Sequence, residues 1–300
     1  MIPLFDLHCD TLSTAYEKNY SLLASPLHIS FDKCTNYSPY TQVMAIWTND
    51  KLSDAKGFER YLNVIQYSKS QGLHFITKGK DLSNFSLFLS IEDLRIIEYD
   101  ISRIDILYQD GVRVITPVWK GTSAIGGAWD TKLGLSRFGK KAVSYFTSLG
   151  IIPDVSHASE HTFYDILEIC EANGIVPIAT HSNSYSVCHH KRNLNDSQFM
   201  ELVKLGTVVG ISLCPSHLSD FSCASINDII RHIDAYLSLG GENCIALGCD
   251  FDGVDSLPVE INNISNLEKL YFTLINYYGT KIAEKIFRRN SCDLFKRIFL

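Results

Sequence analysis

A closed α/β architecture, the (β/α)8 TIM barrel, is the fold class this sequence predicts, and three observations carry it. Short apolar or β-branched runs alternate with longer helix-like stretches through all 300 residues. Two of these runs, 2–5 and 244–247, lie at opposite limits of the chain, and each is followed at once by side chains with ligand chemistry: Asp6-Leu7-His8-Cys9-Asp10 and Gly248-Cys249-Asp250-Phe251-Asp252. Strand ends so far apart meet only if the sheet closes on itself, which makes first and last strands neighbours and gathers functional groups at the strands' C-terminal ends. Such a barrel needs ~250 residues, so residues 1–300 are expected to form a single domain.

In chain order, strands are predicted at 3–8, 42–48, 86–91, 112–118, 151–155, 175–179, 207–213 and 244–248. Each is a run of strand length, such as Leu87-Phe88-Leu89-Ser90-Ile91 or Val112-Arg113-Val114-Ile115. Helices are predicted between them at 57–71, 97–110, 136–149, 160–173, 197–204, 226–239 and 266–278, with a last helix over 281–300 packed on the barrel. Gly72, Gly111, Gly150, Gly174 and Gly240 stand where several of these helices should stop. No low-complexity stretch, repeat period or flexible linker marks a domain boundary.

Composition narrows the function classes. A hydrophobic fraction of 46% is ordinary for a globular chain with a large core. The net charge of -6 leaves no general basic face, so nucleic acid is not an expected partner, and His189-His190-Lys191-Arg192 is too short a basic cluster to change that. Nine scattered cysteines without a C-x-x-C pair argue against a disulfide framework or a zinc ribbon and for a reducing, cytoplasmic compartment. Ile2-Pro3-Leu4-Phe5 runs directly into Asp6, so strand one is expected to open the protein without a leader, and no apolar run reaches the ~20 residues that span a bilayer.

His8 and Asp10 are two apart on an extended segment, so both side chains point to one side and suit one metal ion. That spacing is weak by itself, but similar residues recur at other predicted strand ends: Glu92, His157, His181 and Asp250. For each alone a structural reading competes. His157 and His161 would share a helix face, Asp154 would cap a helix, and Glu92 with Asp93 would be a solvated pair. Six at matching places outweigh those readings. Imidazole with carboxylate suits zinc, Glu92 is placed to bridge, and six ligands exceed what one tetrahedral ion needs, so two divalent ions, zinc foremost, are expected. His28, His74, His189, His190, His217 and His232 lack this placement and are read as surface or core residues. Cys9 and Cys249 alternate to the other side of their strands, where packing is their role.

The chain resembles the renal, or membrane, dipeptidase family of amidohydrolase-type barrels. The resemblance rests on Asp6-Leu7-His8-Cys9-Asp10-Thr11, Gly111-Val112-Arg113-Val114-Ile115-Thr116, Gly134-Leu135-Ser136-Arg137-Phe138-Gly139, Pro153-Asp154-Val155-Ser156-His157, Ala179-Thr180-His181-Ser182-Asn183, Arg192-Asn193-Leu194 and Gly248-Cys249-Asp250-Phe251-Asp252-Gly253. It implies His8 and Asp10 on a first metal, Glu92 bridging, His157 and His181 on a second, and Asp250 as the acid and base residue. It also implies that Arg192 holds the carboxylate of a dipeptide, a task a guanidinium performs bidentately. Two departures stand out. Trp119 lies where many relatives carry a histidine that polarises the scissile carbonyl, and Asp93-Leu94 follow Glu92 where the family commonly has two glycines.

The expected function is therefore a zinc-dependent dipeptidase in which a metal-bridged hydroxide attacks the peptide bond of a free dipeptide, Asp250 shuttles the proton, and Arg192 and Trp119 meet the substrate. Alternatives are another amidohydrolase-type enzyme acting on an amide, lactone or phosphoester, or a metal-binding barrel without dipeptidase activity. No membrane contact is expected, and a homodimer is compatible with the sequence.

Overall fold

The structure is a computed structural model that describes residues 1–48, 51–52, 54–221 and 223–299. Seven strands form one sheet: β1 (Ile2–Cys9), β2 (Tyr37–Trp47), β3 (Phe85–Glu92), β4 (Val112–Thr116), β5 (Ile152–Pro153), β6 (Val209–Ile211) and β7 (Ile245–Leu247). Every pairing is parallel, in the order β5-β4-β3-β2-β1-β7-β6, so first and last strands are neighbours as predicted.

The strand predicted at 175–179 is reduced to single bridges, Asp154 with Ile178 and Ala179 with Val209. Pro177 explains the shortfall, because it has no N–H to give a ladder. The bridges nonetheless join the two sheet edges: Ile178 N donates to Pro153 O at 2.9 Å, and Gly210 N to Ala179 O at 2.8 Å. The sheet is thus curled into a TIM-barrel-like ring.

Ten helices among the described residues surround it. They are α1 (Thr11–Lys18), α2 (Asp54–Ser70), α3 (Arg103–Gln109), α4 (Arg137–Ser148), α5 (Glu160–Asn173), α6 (Asp196–Lys204), α7 (Pro215–Leu218), α8 (Ile226–Ser238), α9 (Leu267–Glu284) and α10 (Asn290–Ile298). α3 starts later than predicted, because Leu94–Ile97 forms a 3-10 turn anchored by the Asp93 side chain on Arg95 N. α9 runs past its predicted end across a break at Gly279, φ 80°. Residues 281–299 comprise the end of α9, a π-helical turn over Lys285–Arg289 and α10, while position 300 lies outside the described residues. No helix among the described residues is long and apolar enough to cross a membrane.

The core has two parts. A large cluster fills the space between strands and helices, and a smaller one fills the ring with Phe5, Leu7, Val43, Phe88, Val114, Ile152 and Ile178. α10 stops the N-terminal end of that inner cluster, with Phe295 edge-on to Phe5 and Phe88 at 4.8 and 4.9 Å. The opposite end is left to the site.

Candidate metal centre and substrate cavity

One irregularity aims the first ligand. Asp6 pairs with Gln42 and Cys9 with Met44, so β1 carries one residue more than β2 between those points. Leu7 belongs to the inner core cluster, and without the extra residue His8 would face out; the bulge turns His8 inward as well. Cys9 then packs in the outer cluster, as does Cys249, which matches the packing role expected of both.

The sheet gathers His8, Asp10, Glu92, His157, His181 and Asp250 at its C-terminal end. The backbone is left-handed at His157 (φ 65°) and Asp250 (φ 62°), a conformation uncommon outside glycine and concentrated at functional sites. Asp93 adopts it too, at φ 74°, so the residue after Glu92 takes a glycine-like path without being glycine. Glu92 and Asp93 are both buried rather than solvated, and Asp93 pairs with Arg95 at 2.6 Å.

Charge divides the site in two. His8 Nε2 lies 3.6 Å from Asp10 Oδ2, 3.7 Å from Glu92 Oε2 and 3.9 Å from Asp250 Oδ1. These separations are too long for hydrogen bonds. Burial disfavours a charge on His8, yet Glu92, Asp10 and Asp250 outweigh it and raise its pKa to about 10, so this half demands positive charge. Burial, then Asp10, pushes the Glu92 carboxyl well above the carboxylate range. On the other side, His157 Nε2 and His181 Nε2 lie 2.9 and 3.4 Å from Glu92 Oε1, and 2.9 Å from each other. Burial, with the charges of Arg192 and His8, holds both imidazoles well below their usual range and therefore neutral.

This donor set fits divalent cations. His8 Nε2 and Asp10 Oδ1 are buried with no hydrogen-bond partner among the described residues. Three overlapping groups, His8/Asp10/Glu92, Glu92/His157/His181 and His8/His181/Asp250, each bring their ligand atoms within 4.8 Å of one another. Burial is the chief reason the Asp250 carboxyl is pushed up to about 7; His8 opposes the rise and Asp10 adds to it.

A cavity of about 720 Å³ opens over these residues, and all three tryptophans, Trp47, Trp119 and Trp129, line it. Trp119 packs edge-on against Trp47 at 5.2 Å, and its carbonyl accepts from His157 Nδ1 at 3.0 Å. Arg192 is 5% exposed; it donates to His181 O at 3.2 Å and to Ser182 Oγ at 3.4 Å, while its Nε has no partner. No carboxylate among the described residues lies within ion-pair distance of it.

Sequence reasoning missed Trp47, Trp129 and His217 in the cavity wall. Trp47 ends β2 but is no ligand type, Trp129 and His217 lie on a turn and on α7, and the sequence places His217 among the surface or core histidines. Burial first, then Arg192, holds His217 down to about 2, so it is a neutral wall group. His161 stays outside the metal-ligand groups, and Asp154 caps no helix, since Ser159 caps α5.

The family profile for membrane dipeptidases, peptidase family M19, matches residues 1–298. An uncharacterized protein in the pqqA 5′ region of Klebsiella pneumoniae is 32% identical over 206 residues, covering 64% of this chain and 74% of its own length. An uncharacterized dipeptidase of Schizosaccharomyces pombe is 28% identical over 209 residues, 67% of this chain but 49% of its own, so the chain spans about half of that relative. Among solved structures, dipeptidase AC, a metallo peptidase of family M19, superimposes with a TM-score of 0.90 at 21% identity over 99% of both chains. A metallo peptidase from Rhodobacter sphaeroides, liganded with a phosphinate mimic of the dipeptide L-Ala-D-Ala, gives 0.89 at 20% identity, again over 99% of both. At such identities the superpositions establish the shared fold. With a family match over nearly its whole length, the chain belongs to the membrane dipeptidase family, peptidase family M19, a family of metallo-dipeptidases.

Proposed function

We propose that residues 1–300 act as one catalytic domain that hydrolyses free dipeptides, with two divalent cations, zinc foremost, held by His8, Asp10, Glu92, His157 and His181. The observation that carries this reading is the juxtaposition, in one cavity, of a buried six-residue donor set and a buried guanidinium with no anion at ion-pair distance among the described residues. When bound, such cations supply Lewis acidity, which acidifies water and balances charge developing on a carbonyl oxygen. Asp250 moves the proton from the attacking water to the leaving amine; it lines the cavity with an oxygen 3.9 Å from His8 Nε2. Arg192 takes the substrate's C-terminal carboxylate, and Trp119 forms wall beside it. A dipeptide of the size bound by the Rhodobacter sphaeroides neighbour is the substrate class we assign to the cavity.

The test is a kcat/KM comparison of free dipeptides with their C-terminal amides, alongside lactones and phosphoesters, on protein of measured zinc content. An amide leaves the Arg192 charge without its partner, at about 1.5–3 kcal/mol for a charge-assisted hydrogen bond. Free dipeptides are therefore expected to win by roughly ten- to a hundredfold, and Arg192→Ala to erase most of that margin. Equal cleavage of both forms, or preference for a lactone or phosphoester, would overturn the dipeptidase reading.

A further inference from the structure

The ring end of the site contains a buried chain of hydrogen bonds that the proposed chemistry does not use. Asp154 is fully buried, with each carboxylate oxygen taken twice. Oδ1 accepts from Ser156 N at 2.9 Å and Thr180 N at 2.8 Å; Oδ2 accepts from the hydroxyls of Thr116 at 2.7 Å and Thr180 at 2.5 Å. On its other side, Thr180 Oγ1 lies 2.7 Å from His181 Nδ1.

A hydroxyl has one proton to give. The short bond to a carboxylate claims it, in preference to the neutral Ser156 Oγ at 3.4 Å. Toward His181, then, Thr180 Oγ1 can only accept, so Nδ1 must carry the ring proton. His157 reaches the same state by another route, because the Trp119 carbonyl beside its Nδ1 can only accept. With Nδ1 the donor on both rings, the two Nε2 atoms point at each other at 2.9 Å, with Glu92 Oε1 alongside. A divalent ion fits that cluster of ligand atoms.

We propose that Asp154, acting through Thr180, is a positioning residue that fixes the tautomer of His181 and so presents Nε2 to a divalent ion. The inference rests on the metal reading above and names residues outside the ligand set. Partners that orient a ligating imidazole are typically worth 10- to 100-fold in metal affinity.

Thr180→Val keeps the shape and removes the hydroxyl; Thr180→Ser restores it; Asp154→Asn reverses the relay, since an amide nitrogen at Oδ2 donates to Thr180 and frees that hydroxyl to donate to Nδ1. Tautomers are read on the metal-free chain by long-range proton–nitrogen NMR of the imidazoles, and zinc affinity by competition with a chromophoric chelator. The expected result is Nδ1–H on His181 in the wild type and in Thr180→Ser. Thr180→Val should show a mixed or Nε2–H ring with zinc affinity lowered by roughly 10- to 100-fold, and Asp154→Asn a ring that is mainly Nε2–H. A wild-type ring protonated on Nε2, or a folded Thr180→Val that binds zinc as the wild type does, would overturn the proposal. If Asp154→Asn does not fold, the two Thr180 variants still decide. Failure of the metal reading looks different: no zinc uptake by a wild-type chain whose His181 keeps Nδ1–H.

Discussion

His232 is a residue whose protonation the fold has settled. Its Nδ1 accepts from Ser184 N and its Nε2 donates to Leu218 O, both at 3.0 Å, so a neutral ring uses both nitrogens. Burial, the dominant cause, lowers its pKa from 6.5 to about 4. Between those values the unfolded chain binds a proton that the folded chain refuses, so this contribution is full above pH 6.5 and lost as pH falls toward 4. The whole effect is about 3 kcal/mol. Urea titrations of wild type and His232→Gln at pH 7 and near pH 4.5 are expected to show a smaller loss of stability in the variant; equal losses would assign the acid sensitivity to other groups.

Helix α1 shows how an element and a ligand share a residue. Asp10 stands at the N-cap position of α1 yet makes no capping bond; its carboxylate turns to the site instead. Asp10 was legible as a candidate ligand less from its i, i+2 spacing with His8, weak alone, than from the recurrence of similar residues at other strand ends. The β1 bulge was not, since register is a property of two strands and not of one. Similarly, the strand ends bearing Glu92 and Asp250 could be read from apolar runs, whereas the cavity wall of Trp47, Trp129 and His217 comes from the end of β2, a turn and helix α7, which meet only in the folded ring. The turn after β7 yields a sharp test. A Cβ at Gly253 would collide with the carboxylates of Asp10 and Asp250, while its backbone conformation does not demand glycine. Gly253→Ala is expected to leave thermal stability near wild type and to lower zinc affinity and turnover roughly tenfold or more, on the scale of disturbed ligand shells. Unchanged zinc binding would place those two carboxylates away from the ion.

The molecule as a whole separates stability from chemistry along its axis. Phe295 of α10 and Phe299 just beyond it plug one end of the ring, and the candidate metal ligands occupy the other. Phe295→Ala is expected to cost about 3–5 kcal/mol, the range for emptying a buried aromatic site, with kcat/KM of the folded enzyme within about twofold of wild type; calorimetry and kinetics on the same sample check both. Closure of the ring was foreseen from the ends of the chain, because two ligand-bearing strands at opposite limits must meet. Its weakest segment, 178–179, was overstated, since the apolar run around Pro177 reads as a strand while its missing donor does not allow one. The tryptophans have a practical consequence at this scale. The chain has three, and all of them line one cavity, so its tryptophan emission, excited selectively over that of its 15 tyrosines, arises from the walls around the site. The protein carries its own optical probe: quenching of tryptophan emission by a paramagnetic ion, or a shift in its colour on adding a dipeptide, reports events at the site without an added label.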